Sequence, residues 1–180
     1  MLLKSAPLLL LVLAGCPNPE LPECNLLSTT DIVLVASDPN SVISDIGDGS
    51  QVTLMPAPQG GHILLVGARV RAANDCQLAA TASLRDPTNQ RVIGLEQRPL
   101  LLEKRADGWA VPQQGLNAMP NVAVCPNGVA STSIDGHPFL LEVSLATLDG
   151  APIVTASAMI TPTCADTYCS GDCAAPGAAR

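Results

Sequence analysis

The sequence predicts an all-β domain, a two-sheet antiparallel sandwich stabilised by disulfides, and three observations lead there. Apolar residues recur with period two from residue 31 onward. Turn pairs such as Gly60-Gly61, Asp107-Gly108 and Asp149-Gly150 interrupt those runs. Sixteen prolines are spread over 180 residues, and each one forbids a helix interior. Outside the N-terminus no apolar i, i+3, i+4, i+7 pattern runs unbroken for about twelve residues. Without helical crossovers a parallel sheet is disfavoured, and a small closed barrel is the rival arrangement.

The elements follow in order. Ile32 to Ala36 is a continuous apolar run, suited to a buried strand. Residues 41–50 contain Asp45-Ile46-Gly47-Asp48-Gly49 and read as a turn, followed by a short strand at 51–55 that meets Pro56 and Pro58. After Gly60-Gly61, one strand face carries His62, Leu64, Val66, Ala68 and Val70. Asn74-Asp75 turns the chain. Leu78, Ala80, Ala82 and Leu84 then alternate with Gln77, Thr81, Ser83 and Arg85, the pattern of a half-buried strand closed by Asp86-Pro87. Two more strands are expected at 91–95 and 100–105, and Asp107-Gly108 joins the second to Trp109-Ala110-Val111. Asn121–Cys125 lies between Pro120 and Pro126. Phe139, Leu141, Val143 and Leu145 alternate with Leu140, Glu142, Ser144 and Ala146, and Asp149-Gly150 leads into a strand at 153–160. Eight or nine strands at this spacing resemble an Ig-like sandwich in architecture alone. The chain has one Phe, one Tyr and one Trp, and Trp109 sits at a hairpin mouth, so Leu, Val, Ile and Ala must fill the core.

The N-terminus has a different character. Lys4 precedes the apolar block Leu8-Leu9-Leu10-Leu11-Val12-Leu13-Ala14, the charged and apolar regions of a secretory signal. That block is about half the length a membrane span requires. It ends Leu13-Ala14-Gly15-Cys16, which resembles a lipobox, and residues 1–16 resemble the start of a bacterial lipoprotein precursor. The resemblance implies diacylglycerol transfer to Cys16, cleavage before it and further acylation, palmitate included, of the freed amine. Pro17 follows the cysteine where an inner-membrane retention signal would have Asp, which implies delivery to a bacterial outer membrane. Two or three acyl chains anchor stably where one binds only reversibly. The expected organisation is a signal peptide at 1–15, a lipidated, Pro-rich tether at 16–30, a β-sandwich at 31–163 and a Cys-rich tail at 164–180.

Removing fifteen residues leaves 165, with 8 Lys and Arg against 16 Asp and Glu. That acidity excludes a nucleic-acid binder that neutralises phosphates. Once Cys16 is spent on lipid, six cysteines remain: Cys24, Cys76, Cys125, Cys164, Cys169 and Cys173. An exported chain with an even count is expected to form three disulfides. The favoured pairing joins Cys76 to Cys125, which lie in or beside predicted strands and close a long loop, makes one bridge within the tail, and ties the remaining tail cysteine to Cys24.

Chemistry-bearing patterns are sparse. Ser131, Ser133 and Asp135 precede His137, yet Asp135-Gly136-His137-Pro138 reads first as a turn, and no G-x-S-x-G elbow occurs. The three tail cysteines with His137 would make a zinc set, but their spacing and the oxidising compartment favour disulfides. Asp45, Asp48 and Gly49 lack the ligand spacing of a calcium loop. Arg69, Arg71, Arg98, Lys104 and Arg105 would form an anion-binding patch if one sheet gathered them. No catalytic residue, metal or cofactor is assigned. The expected function is a membrane-anchored lipoprotein whose domain has a non-catalytic structural or binding role toward an envelope protein or polysaccharide. The alternative is a small periplasmic enzyme, or enzyme inhibitor, using the Ser131–His137 loop.

Overall fold

A computed structural model describes residues 21–26 and 31–175, and all but one of their regular elements are strands. Cys16 and most of the expected signal peptide and tether lie outside the described residues. The strands are β1 (Ile32–Ser37), β2 (Ile43–Asp45), β3 (Gln51–Thr53), β4 (Met55–Pro56), β5 (His62–Arg71), β6 (Cys76–Arg85), β7 (Val92–Lys104), β8 (Trp109–Pro112), β9 (Asn121–Cys125), β10 (Phe139–Ala146) and β11 (Pro152–Thr163). One short helix, α1 (Thr167–Asp172), follows them.

Period-two patterning sorts the side chains as expected. On β6, Leu78, Ala80, Ala82 and Leu84 are buried, and on β10, Phe139, Leu141, Val143 and Leu145 are. The register sets Leu145 opposite Ala80, Val143 opposite Ala82 and Leu141 opposite Leu84. Leu145 and Val143 thus sit opposite alanines on the core face, which fills space in a chain almost without aromatics. Phe139, the only phenylalanine, is fully buried.

The pairing order is β2-β1-β5-β8-β7-β6-β10-β11-β3, with β4 and β9 added along the first half of β5. Every pair is antiparallel except β11 with β3. The result is an all-β, sandwich-like domain whose strands belong to one continuous hydrogen-bonded system. Its two ends, β2 and β3, are consecutive in the chain, so the sheet has to curl until residues 46–50 can join them. That segment also bonds both flanks. Ile46 donates its N–H to the Leu34 carbonyl, Gly49 donates to the Met159 carbonyl, and Met159 donates to the Asp48 carboxylate. The stretch expected as a turn therefore contains an edge strand, β2, as well.

Two strands expected around Pro99 are one. Leu101, two residues on, donates its N–H to the Ala118 carbonyl, away from β6. Alternation points the Pro99 nitrogen the same way, where the missing N–H costs no bond to β6. Gly94, in the same strand, lies under β9. A Cβ there would strike the Ala123 carbonyl and stand 2.8 Å from Val122 Cγ1, so only glycine permits this approach.

The disulfides correct the expected pairing. They join Cys24 to Cys76, Cys125 to Cys173, and Cys164 to Cys169. The internal bridge of the tail is present, but Cys76 and Cys125 are not partners and no tail cysteine reaches Cys24. Cys76 opens β6 and Cys125 ends β9, and each takes a cysteine from a flanking segment. The segment 21–26 is also docked. Gln77 donates its N–H to the Pro22 carbonyl and accepts from Cys24 N–H, while Glu23 bridges to Gln77 and Leu26 to Ala72. Part of the expected tether is thus bound to the domain. In the tail, the Asp166 carboxylate caps α1 by accepting the Cys169 N–H, and the Cys169 and Cys173 side chains are buried.

Peptide mapping of the non-reduced protein should recover these three bridges; a Cys76–Cys125 linkage would overturn the structure. Gly94→Ala should lower stability by about 1–3 kcal/mol through displacement of β9, read as a fall in Tm.

Candidate functional site

A groove of about 640 Å³ is lined by Val35, Val42, Ile43, Asp45, Arg69, Glu103, Arg105, Val111, Pro112 and Gln114. It spans five neighbouring strands, β2-β1-β5-β8-β7. The register explains the gathering. Val35 pairs with Asp45 on β2 and with Gly67 on β5, two residues from Arg69. Val111 pairs with Glu103, and Arg105 donates its N–H to the Trp109 carbonyl across the same hairpin. Apolar and charged side chains share its lining, and the charged ones are paired. Arg69 reaches Asp45 at 2.7 Å, and Arg105 reaches Glu103 at 3.3 Å.

Beside the groove, the guanidinium carbons of Arg69 and Arg71 lie 4.2 and 4.4 Å from the centre of the Trp109 ring. Trp109 pairs directly with Arg71 across the β5–β8 ladder, which makes this stacking a consequence of register. Arg71 also meets Asp31 at 3.6 Å and donates to the Asp107 carbonyl.

The expected basic patch is therefore divided. Arg69, Arg71 and Arg105 gather around the groove, each with a carboxylate partner. Lys104 points its ammonium to the Ala72 carbonyl, and Arg98 pairs with Glu96 and donates to the Leu116 carbonyl. Arg98 and Glu96 line a second cavity of about 330 Å³ with His62 and Asn121, on the side of the first half of β5.

The Ser131–His137 loop is held by structural bonds. Asp86 is fully buried and accepts the Ser131 N–H at 2.6 Å and the Thr88 N–H at 2.8 Å. Burial by itself pushes this carboxyl up, but hydrogen bonds from the Ser131 hydroxyl and the Ser131, Thr88 and Asn89 N–H groups together bring it down to about 2. The Ser133 hydroxyl donates to the Cys173 carbonyl. The Asp135 carboxylate accepts the Cys164 N–H and the Ser170 hydroxyl, and exposed His137 bonds back to the Asp135 carbonyl. The bonds that order this loop are those of a closed turn, and none joins His137 to a serine hydroxyl among the described residues.

The histidine beside the tail sulfurs is His62, not His137. A His62 ring nitrogen, Cys169 Sγ and Cys173 Sγ all lie within 4.8 Å of one another. Both sulfurs belong to disulfides, so the set lacks the thiolates a zinc site needs. His62 is 4 % exposed, its Nδ1 has no hydrogen-bond partner, and the Asp172 carboxylate is 3.7 Å from that nitrogen. Nothing in the spacing of a histidine at 62 and cysteines near 170 announces this meeting. Nor does Asp86-Pro87, which reads as an ordinary turn, announce the anchor of a loop 45 residues away. No protein-family model, curated protein or solved structure matches the chain. Among the described residues, no helix is long and apolar enough to cross a membrane.

Asp86 has its folded pKa, about 2, below the ordinary 3.8, so its ionised form favours the fold. That contribution is complete above about pH 4 and is lost as pH falls through about 2. Asp86→Asn should lower Tm at pH 7, with the difference from the parent shrinking toward pH 2. A difference independent of pH would remove the ionised carboxylate from the account.

Proposed function

We propose that the chain is a lipid-anchored extracytoplasmic protein whose β domain binds an envelope protein through the β2-β1-β5-β8-β7 groove. The anchor rests on the sequence at Leu13-Ala14-Gly15-Cys16. Three disulfides support export, since such bonds persist in oxidising compartments. The Pro17 position continues to favour an outer membrane. Between Cys16 and the docked residue Leu21 stand four residues, which extend at most about 14 Å. The domain then works close to the bilayer.

The groove is the observation that carries the binding role. Apolar side chains set among charges that are already paired suit a protein interface. Val42 is 55 % exposed at its lip, and β2 is the end strand of the pairing order. A terminal strand can accept backbone hydrogen bonds from an added strand. A polysaccharide is the second reading, favoured by the arginines at the site. It is weaker because Arg69, Arg71 and Arg105 are already paired with carboxylates and the Trp109 ring carries two guanidiniums. An Ig-like plan for the sandwich belongs to the same proposal, supported by the antiparallel hairpins and the strand β5 shared between two ladders.

Cys16→Ser should remove the lipid mass and release the protein from membranes; retention would contradict the anchor. A photo-crosslinking residue at position 42, in intact envelopes, should capture one protein partner, and Val111→Asp should reduce that product at least tenfold. Capture of glycan alone, or capture unchanged by Val111→Asp, would rule out the protein interface.

A further inference from the structure

The tail sulfurs form one cluster built from two disulfides. Cys173 Sγ, bonded to Cys125, lies 3.9 Å from Cys164 Sγ and 3.9 Å from Cys169 Sγ, which are bonded to each other. Those separations are near sulfur–sulfur van der Waals contact. Cys125, Cys169 and Cys173 are buried, whereas Cys164 is partly buried. His62 lies against the same sulfurs, with Nδ1 unpartnered and Asp172 close by. Cys24–Cys76 is not part of the cluster: Cys24 and Cys76 dock segment 21–26 on the start of β6.

The geometry points to a thiol–disulfide exchange site in which the Cys164–Cys169 and Cys125–Cys173 bonds act as one two-electron unit, with a dithiol as the substrate class. One thiolate of the dithiol attacks Cys164 Sγ, on the only one of the four cysteines that is not fully buried. The Cys164–Cys169 bond breaks and its electron pair leaves on Cys169, giving a mixed disulfide at Cys164. The Cys169 thiolate then attacks Cys173 Sγ. A Cys169–Cys173 bond forms, the Cys125–Cys173 bond breaks, and the electron pair leaves on Cys125. The second thiol of the substrate attacks its own mixed-disulfide sulfur and releases Cys164. The substrate is oxidised to a disulfide, one protein disulfide is reduced, and the two substrate protons end on Cys125 and Cys164. The His62 imidazole, with a ring nitrogen within 4.8 Å of Cys169 Sγ, stabilises the intermediate Cys169 thiolate by hydrogen bonding. The consequence is transfer of reduction from the surface to the end of β9.

The test uses the full chain carrying Cys16→Ser, so that no seventh sulfur competes. One equivalent of dithiothreitol is added, the reaction is quenched with acid, free thiols are alkylated and the peptides are mapped. The expected two-thiol species is labelled at Cys125 and Cys164 and contains a Cys169–Cys173 crosslink, with Cys24–Cys76 intact. Label at Cys164 and Cys169 with Cys125–Cys173 retained would overturn the proposal, as would label at Cys24. His62→Gln, accepted for the assay only if its Tm matches the parent's, should slow labelling of Cys125 about tenfold. An unchanged rate would remove His62 from the exchange; should this variant melt early, His62→Asn is measured in its place under the same criterion.

Discussion

Strand β5 is the member on which the other strands depend. It pairs with β9 and β4 along its first half and with β1 and β8 along its second. A strand bonded on both edges and covered on both faces must be apolar nearly throughout, and residues 62–68 are all buried. Gly67 belongs to this constraint. The space a Cβ would take is bounded by Leu100 Cδ1 at 3.0 Å and Met119 Cβ at 3.4 Å, so the surrounding chain packs directly on the backbone. At its two ends, where burial relaxes or the chain turns, β5 carries the polar groups that make the sites. His62 stands at the start against the sulfur cluster, and Arg69 and Arg71 stand at the finish beside the groove.

A chain with three aromatic residues cannot rely on large rings to fill its interior. It compensates by bringing layers together over small residues, such as Ala80, Ala82 and Gly94, and by cross-linking its periphery. The disulfides are placed accordingly. Cys24–Cys76 fastens the N-terminal segment to β6, and Cys125–Cys173 fastens the C-terminal helix to β9. Chain ends with little apolar surface of their own are thereby tied down. The buried Asp86 does the same for the 131–137 loop with hydrogen bonds in place of sulfur.

On the proposed reading, the groove serves surface recognition and the sulfur cluster serves covalent exchange. In and beside the groove, Arg69, Arg71 and Arg105 are each answered by a carboxylate, which balances the positive charge gathered there. The cluster, in contrast, owes its character to burial and contact, since His62, Cys169 and Cys173 meet in the interior and only Cys164 is partly exposed. Both are local arrangements on a rigid ladder.

Alternation along 78–84 and 139–145 determined those strands and their buried faces, because side-chain period two is a local property of extended backbone. The Gly-containing turns at 57–61, 105–109 and 147–151 were equally legible, since a positive φ there demands glycine. With Cys16 set aside as the expected anchor, the six remaining cysteines announced three disulfides. What only the tertiary structure decided were relations between distant segments. Which cysteine faces which depends on how β6 and β9 lie in the sheet, so Cys76 and Cys125 each found a partner outside the strands. Joining 91–95 and 100–105 into one strand depended on which side of β7 the Pro99 nitrogen faces. His62 meeting Cys173, and Arg69 standing across from Glu103, follow from the order and register of the strands. Short-range patterns carry conformation, but strand order reflects the packing of the whole core, and no single stretch of the chain encodes it.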